Sequence, residues 1–128
     1  MIRIAHIALV VRDYDEAIAW FTRKLDFEAL ENTDLGGGKR WVLVAPRGGG
    51  VQLLLAKAVG DEQAARIGDQ TGGRVFLFLE TEDFARDHAA FEARGVNFVR
   101  APKTERYGTV AVFEDLYGNM WDLIERKT

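Results

Sequence analysis

Residues 6–27 read HIALVVRDYDEAIAWFTRKLDF, and a change of hydrophobic period within them decides how the fold begins. Residues 2–11 are almost continuously aliphatic, which predicts a buried strand. From Asp13–Leu25 the apolar side chains recur at steps of three and four, which is one face of a helix. Asp13, followed three residues later by Glu16, predicts an N-terminal cap. The helical stripe comprises Tyr14, Ile18, Phe21 and Leu25.

The rest of the chain alternates short apolar runs with glycine-rich turns, which predicts further strands and one more helix. The predicted strands cover residues 27–32, 40–45, 51–56, 74–81, 97–100, 109–113 and 120–125, and the second helix covers residues 83–94. Each half therefore reads as strand, helix and three strands.

A constant offset in residue number relates the two halves and indicates a duplicated unit. It carries Asp13 to Asp83, Phe21 to Phe91 and Leu53 to Leu123. We predict a single domain over residues 1–128. Its parts are repeat one over residues 1–57, a connector over residues 58–71 and repeat two over residues 72–128.

Composition excludes several classes of function. A net charge of -3 over 128 residues gives no basic face for nucleic acid. With no cysteine, disulfides, zinc-thiolate sites and thiol nucleophiles are excluded. No apolar run reaches the roughly 18 residues of a membrane span. We expect a cytoplasmic protein that binds neither nucleic acid nor membrane.

The stretch quoted above and residues 107–125, YGTVAVFEDLYGNMWDLIE, resemble the glyoxalase/bleomycin-resistance/dioxygenase superfamily, also called vicinal oxygen chelate proteins. The likeness covers essentially the whole chain, including the duplication. It implies an α+β fold in which two βαβββ repeats form a curved mixed sheet around a cavity. Short chains of this family pair as dimers, so a homodimer is expected by analogy.

The resemblance also places metal ligands on the first and last strands of each half. Carried over to this chain, the positions are His6, Gln52, Phe76 and Asp122, and the offset between the halves relates them in pairs. His6 and Asp122 supply an imidazole and a carboxylate, and Gln52 offers a neutral oxygen. Phe76 supplies no ligand. The resemblance thus implies a degenerate site for one divalent ion, which would be Ni, Zn, Mn or Fe.

Strand alternation adds neighbours to these positions, because residues two apart share a face. Arg74, Phe78 and Glu80 share the face of Phe76, and Glu80 is the candidate catalytic base. The predicted ligand-binding residues are Arg74, Phe76, Phe78 and Tyr107. If Arg74 instead pairs with the Asp122 carboxylate, no metal is needed.

Each of these residues also has a structural interpretation. A lone histidine in an apolar strand, such as His6, is often a satisfied buried side chain. For Tyr107 the structural interpretation is a surface turn, which is favoured slightly over a ligand contact. His88, the only other histidine, is predicted to pack between helix and sheet, since the offset relates it to Ile18 on the core-facing stripe.

Three functions follow from this residue set. The first is a glyoxalase-like lyase or isomerase with a degenerate divalent-metal site. The second is a metal-free protein that binds or sequesters a small molecule, as the bleomycin-resistance members do, with Trp41 and Tyr107 among its aromatic contacts. The third, an extradiol dioxygenase, requires two histidines and a carboxylate on iron and is disfavoured by the single histidine at the four positions. The first is narrowly preferred.

Overall fold

The computed structural model describes residues 1–127, and its elements repeat the predicted order of strand, helix and three strands. The first half contains β1 (His6–Val11), α1 (Tyr14–Lys24), β2 (Glu28–Gly36), β3 (Lys39–Ala45) and β4 (Gln52–Lys57). A short helix, α2 (Gly60–Ala64), lies in the predicted connector. The second half contains β5 (Val75–Glu80), α3 (Phe84–Ala93), β6 (Asn97–Glu105), β7 (Gly108–Glu114) and β8 (Met120–Arg126).

Three predicted boundaries were wrong, and sheet pairing explains each of them. The first strand begins at His6 because its partner strand β4 begins at Gln52, which is the register partner of His6. β2 and β6 run well past their predicted ends. Both are edge strands with mostly exposed side chains, so hydrophobic alternation does not mark their length. Pro102 fits within β6 because an edge strand needs only one side paired.

The described residues divide into two compact units, Met1–Ile67 and a second that begins at Gly68. Each unit is a four-stranded mixed sheet, with order β1-β4-β3-β2 in the first and β5-β8-β7-β6 in the second. In both, the first and last strands of the unit run parallel and the remaining pairs are antiparallel. The prediction of an α+β fold made of two βαβββ repeats is confirmed.

Helix α1 begins and packs as its sequence predicts. The carboxylate of Asp13 accepts a hydrogen bond from the Glu16 backbone N–H at 2.8 Å, which caps the first turn. Ala17 and Phe21 are fully buried against the first sheet, together with alternate residues of β1, Leu9 and Val11. Burying Phe21 contributes about 1.5–3 kcal/mol. Helix α1 covers only this face of the first sheet, and the opposite face is not packed against α1.

The turn between β7 and β8 is organised by a buried carboxylate, Asp115. One of its oxygens accepts backbone N–H bonds from Tyr117, Gly118 and Asn119 at 3.0–3.1 Å. The other accepts from the Asn119 side chain and the Trp121 indole, each at 3.1 Å. Burial raises the pKa of Asp115, while these hydrogen bonds act to lower it. The Asp-x-x-Gly-Asn segment is therefore a structural turn.

His88 packs between α3 and the second sheet, as predicted. Its ring lies 5.4 Å from Phe84 and 4.2 Å from Phe98, centroid to centroid. Nδ1 is 3.3 Å from a carboxylate oxygen of Glu92, and the buried Nε2 has no partner among the described residues. This histidine supports the interior of the unit. Within residues 1–127, no helix has the length and apolar character needed to cross a membrane.

Candidate functional site

His6 and Gln52 lie side by side at the start of β1 and β4. They are partners in the parallel register, so their side chains share the face of the first sheet opposite the buried Leu9. The His6 ring also meets the edge of Trp41, with centroids 5.9 Å apart and planes at 74°. An imidazole and an amide therefore lie on adjacent strands of this face, and the Trp41 indole packs against the imidazole. Of the predicted metal residues, the structure brings these two together within the first unit.

A groove opens farther along the same unit, at the other end of β4. Its volume is about 380 Å³, which is within the range of small-molecule sites. Trp41 supplies an aromatic wall, and Leu54 and Ala56 supply apolar floor from β4. The lining residues are Tyr14, Gly37, Gly38, Lys39, Arg40, Trp41, Leu54, Leu55, Ala56, Lys57, Val59 and Gln63. Of these, the sequence had suggested only Trp41 as a ligand contact.

Arg40 fixes one side of the groove by joining α1 to β3. Its backbone N–H donates to the Tyr14 hydroxyl oxygen at 3.1 Å, and its guanidinium lies 5.0 Å from the Tyr14 ring centroid. The guanidinium also donates to Asp15 at 2.9 Å and to Asn32 at 3.1 Å. The Arg40 hydrogen bond and charge lower the pKa of Asp15. These contacts hold the Tyr14 ring beside the groove.

Asp122 has apolar neighbours in the second unit. Its register partners are Phe78 on β5 and Val112 on β7, and Phe78 is 66% exposed. Burial raises the pKa of Asp122, and the charge of Arg100 on β6 acts to lower it. Among the described residues no ion pair joins Arg74 to Asp122, and their pairing stays a prediction. Arg100 lies across from Asp122 because both are paired through Val112.

The strand register does not support the offset that linked Gln52 to Asp122. Ala8 pairs with Leu54, and Phe78, the repeat counterpart of Ala8, pairs with Asp122. By this pairing Leu54, and not Gln52, is the counterpart of Asp122. The number that must be added to a residue of β4 to reach its counterpart in β8 is therefore two less than the number that relates β1 to β5. An irregularity between Val75 and Leu77 leaves Phe76 without a register partner on β8.

Glu80 and Tyr107 occupy exposed positions in the second unit. The Glu80 carboxylate forms an ion pair with Arg126 at 2.9 Å, and both side chains are more than half exposed. Tyr107 lies in the turn between β6 and β7, where its carbonyl accepts from the Lys127 N–H at 2.9 Å. The surface-turn interpretation of Tyr107 fits this position. The roles of Glu80 as a base and of Tyr107 as a ligand contact stay predictions.

The donor set fits a resident metal poorly. His6 has the neutral Gln52 and the Trp41 ring beside it, and Asp122 has Phe78 and Val112 beside it. Among the residues that the structure describes, no group of three or more His, Cys, Asp or Glu is placed to hold an ion. Catalytic zinc sites use three protein ligands with an open position. The divalent-ion prediction therefore has no assembled site in support.

Comparisons with known proteins agree with this architecture. The sequence model of the Glyoxalase/Bleomycin resistance protein/Dioxygenase superfamily matches residues 3–123. An uncharacterized protein of Shewanella frigidimarina (strain NCIMB 400) is 57% identical over 124 residues, covering 95% of this chain and 92% of that protein.

Two solved structures are similar over nearly their whole length. UcmS2 has a TM-score of 0.84 at 29% identity, covering 97% of this chain and 98% of that one. TnmS3, described as an antibiotic binding protein from Streptomyces sp. CB03234, has a TM-score of 0.79 at 26% identity, covering 99% of this chain and 98% of that one.

Proposed function

We propose that this chain, which belongs to the Glyoxalase/Bleomycin resistance protein/Dioxygenase superfamily, binds and sequesters a small planar molecule without transforming it. The observation that carries the proposal is the groove of about 380 Å³ with Trp41 as its wall. An aromatic wall and an apolar floor suit a flat ligand. The similarity to TnmS3, an antibiotic binding protein, supports the same class of function.

The second unit has its own set of proposed ligand contacts. Phe78 offers a largely exposed aromatic face next to the half-buried Asp122. Arg74, Phe76 and Tyr107 remain proposed contacts on the resemblance and on strand alternation. None of these residues needs a metal in order to bind a ligand.

We predict that Trp41→Leu weakens binding of a planar ligand by about 30-fold or more, because a buried aromatic anchor contributes about 2 kcal/mol. The measurement is calorimetric titration with a panel of antibiotics that contain fused aromatic rings. Trp20→Leu is the matched control, since it removes an indole from α1 that does not line the groove. Circular dichroism would verify that both variants fold.

Mass spectrometry of the ligand after incubation separates sequestration from catalysis. We expect the ligand to be recovered unchanged at full yield. Enzyme-dependent conversion of any bound ligand, or equal affinities of the Trp41 and Trp20 variants, would contradict the proposal.

A glyoxalase-like lyase or isomerase is the second candidate. The observation that favours it is the register pairing of His6 with Gln52, which puts an imidazole nitrogen and an amide oxygen on adjacent strands. In that case Asp122 would supply the remaining ligand, and Glu80 would act as the base after release from Arg126. The extradiol dioxygenase is not proposed, because His88 is packed in the interior beside Phe84 and Phe98.

Metal titration discriminates between the two candidates. We predict that the metal-stripped, untagged protein binds Ni²⁺, Zn²⁺, Mn²⁺ and Fe²⁺ no more tightly than about 0.1 mM in calorimetry, which corresponds to only about 5–6 kcal/mol. The reason is that the predicted donors are two strong ligands and one weak one. A stoichiometric ion that is lost in both His6→Ala and Asp122→Ala would overturn this expectation and favour the metalloenzyme.

A homodimer is also proposed, by analogy with short chains of the superfamily. Ile2 and Ile4 near the N-terminus are strongly exposed, and burying them against a second copy would be favourable. Light scattering on the purified protein checks this, and a monomer mass would contradict it.

A further inference from the structure

The groove of the first unit is lined by positively charged side chains and by no negatively charged one. Lys39, Arg40 and Lys57 all line it, and the lining contains no Asp or Glu. The chain as a whole has a net charge of -3, so the sign of the groove is opposite to that of the protein. Arg40 is ion-paired with Asp15 at 2.9 Å. Lys39 and Lys57 form no ion pair among the described residues, so no carboxylate of the described chain neutralises these two charges at the groove.

Neutral polar side chains of the groove retain donors that a ligand can use. The Tyr14 hydroxyl oxygen already accepts from the Arg40 N–H at 3.1 Å, which leaves its own proton to donate. The Gln63 side-chain oxygen accepts from the Val59 N–H at 2.9 Å, which leaves its NH₂ group. The indole N–H of Trp41 has no hydrogen-bond partner within the described part of the chain. Donors that have no protein acceptor favour a ligand rich in acceptor oxygens.

Charge and shape together narrow the class of ligand. The lysines and donors of the groove favour an anionic ligand. A cationic ligand would be repelled by the lysines, whereas the oxygens of an anion could accept hydrogen bonds from the donors. The aromatic wall of Trp41 and the apolar floor of Leu54 and Ala56 select a ring system. A simple inorganic anion would leave this apolar surface uncovered.

We infer that the groove binds a small aromatic anion, whose carboxylate or phenolate oxygen lies near Lys39 and Lys57 while its ring lies against Trp41. This inference rests on the proposed function, because it names the class of ligand for the same groove. It adds that the protein discriminates by charge between ligands of the same shape.

Paired probes of equal shape test the inference. We expect the full chain to bind 2-naphthoate at least fivefold more tightly than neutral 2-naphthamide in calorimetry at low ionic strength. The difference should shrink as salt is added, because partly exposed charges are screened. This salt dependence is measured on the unmodified protein and needs no variant.

A double variant, Lys39→Gln with Lys57→Gln, should weaken 2-naphthoate binding about tenfold and leave 2-naphthamide binding unchanged. Lys127→Gln is the matched control, because Lys127 belongs to the second unit and lies outside the groove. Equal affinity for the two probes, or an unchanged naphthoate affinity in the double variant, would overturn the inference and leave aromatic binding intact. Failure of both probes to bind would contradict the proposed function as well.

Discussion

Asp115→Ala should cost about 3–5 kcal/mol of unfolding free energy, measured by urea denaturation followed by tryptophan fluorescence. The substitution removes the acceptor of five hydrogen bonds, three of them from backbone N–H groups. Two of the donor residues, Asn119 and Trp121, are buried and nearly inaccessible to solvent. A buried donor without a partner costs about 1–3 kcal/mol, and partial access of water to the turn keeps the total below the simple sum.

Asp115→Asn separates the two oxygens of this carboxylate. With its amide oxygen toward the backbone, asparagine keeps the bonds from Tyr117, Gly118 and Asn119 and loses those from the two side chains. We expect a loss of about 2–3 kcal/mol, because two buried donors lose their acceptor, and this loss is still smaller than that of the alanine variant. Glu114→Ala, at the neighbouring position, should change stability by less than about 0.5 kcal/mol. A loss for Asp115→Ala no larger than that for Glu114→Ala would show that the carboxylate does not hold the turn.

The architecture could be predicted because its determinants are local. The change of period between β1 and α1 and the Asp13 cap are visible in the sequence, and the structure places this cap as expected. Asp83, the repeat counterpart of Asp13, caps α3 in the same way. The edge strands β2 and β6 were underestimated because their side chains are mostly exposed and carry no hydrophobic pattern. Pairing with a neighbour, not composition, sets the length of such strands.

The candidate site was less predictable because it depends on register. A constant offset assigns Gln52 and Asp122 to equivalent positions, but the pairing of β1 with β4 and of β5 with β8 differs by two positions. A shift of two positions keeps every side chain on its own face, so the hydrophobic pattern cannot reveal it. The sequence therefore could not reveal which residues of β4 and β8 occupy equivalent positions.

The positions of Arg100 and of the groove lysines also depend on strand register and therefore could not be predicted from the sequence. Arg100 reaches Asp122 across an intervening strand through Val112, and that three-strand row exists only once β6, β7 and β8 are in register. Lys39 and Lys57 are far apart in sequence and each is ordinary for a strand end. Their shared groove depends on the antiparallel pairing of β3 with β4.

Gly68→Ala should destabilise the protein by about 3–4 kcal/mol, measured by the same denaturation. Gly68 has φ of +78°, and a Cβ there would lie 1.9 Å from the Tyr117 carbonyl oxygen. The clash is with backbone, so no side-chain rotation relieves it, and the turn held by Asp115 would have to move. The connector also contacts this turn through Gln70, whose N–H donates to the Asn119 side chain at 3.3 Å.

Gly72→Ala is the matched control for the connector. Gly72 has φ of +68°, but no atom lies within 4 Å of a Cβ built there. The Gly72→Ala variant should lose only about 1–2 kcal/mol of unfolding free energy, which is the cost of a left-handed backbone for an L-residue. The difference between the two variants, about 2 kcal/mol, isolates the contact between Gly68 and Tyr117. Equal losses of unfolding free energy in the two variants would mean that Gly68 does not pack closely against Tyr117 of the β7–β8 turn. The effect of Asp115→Ala would then be confined to that turn.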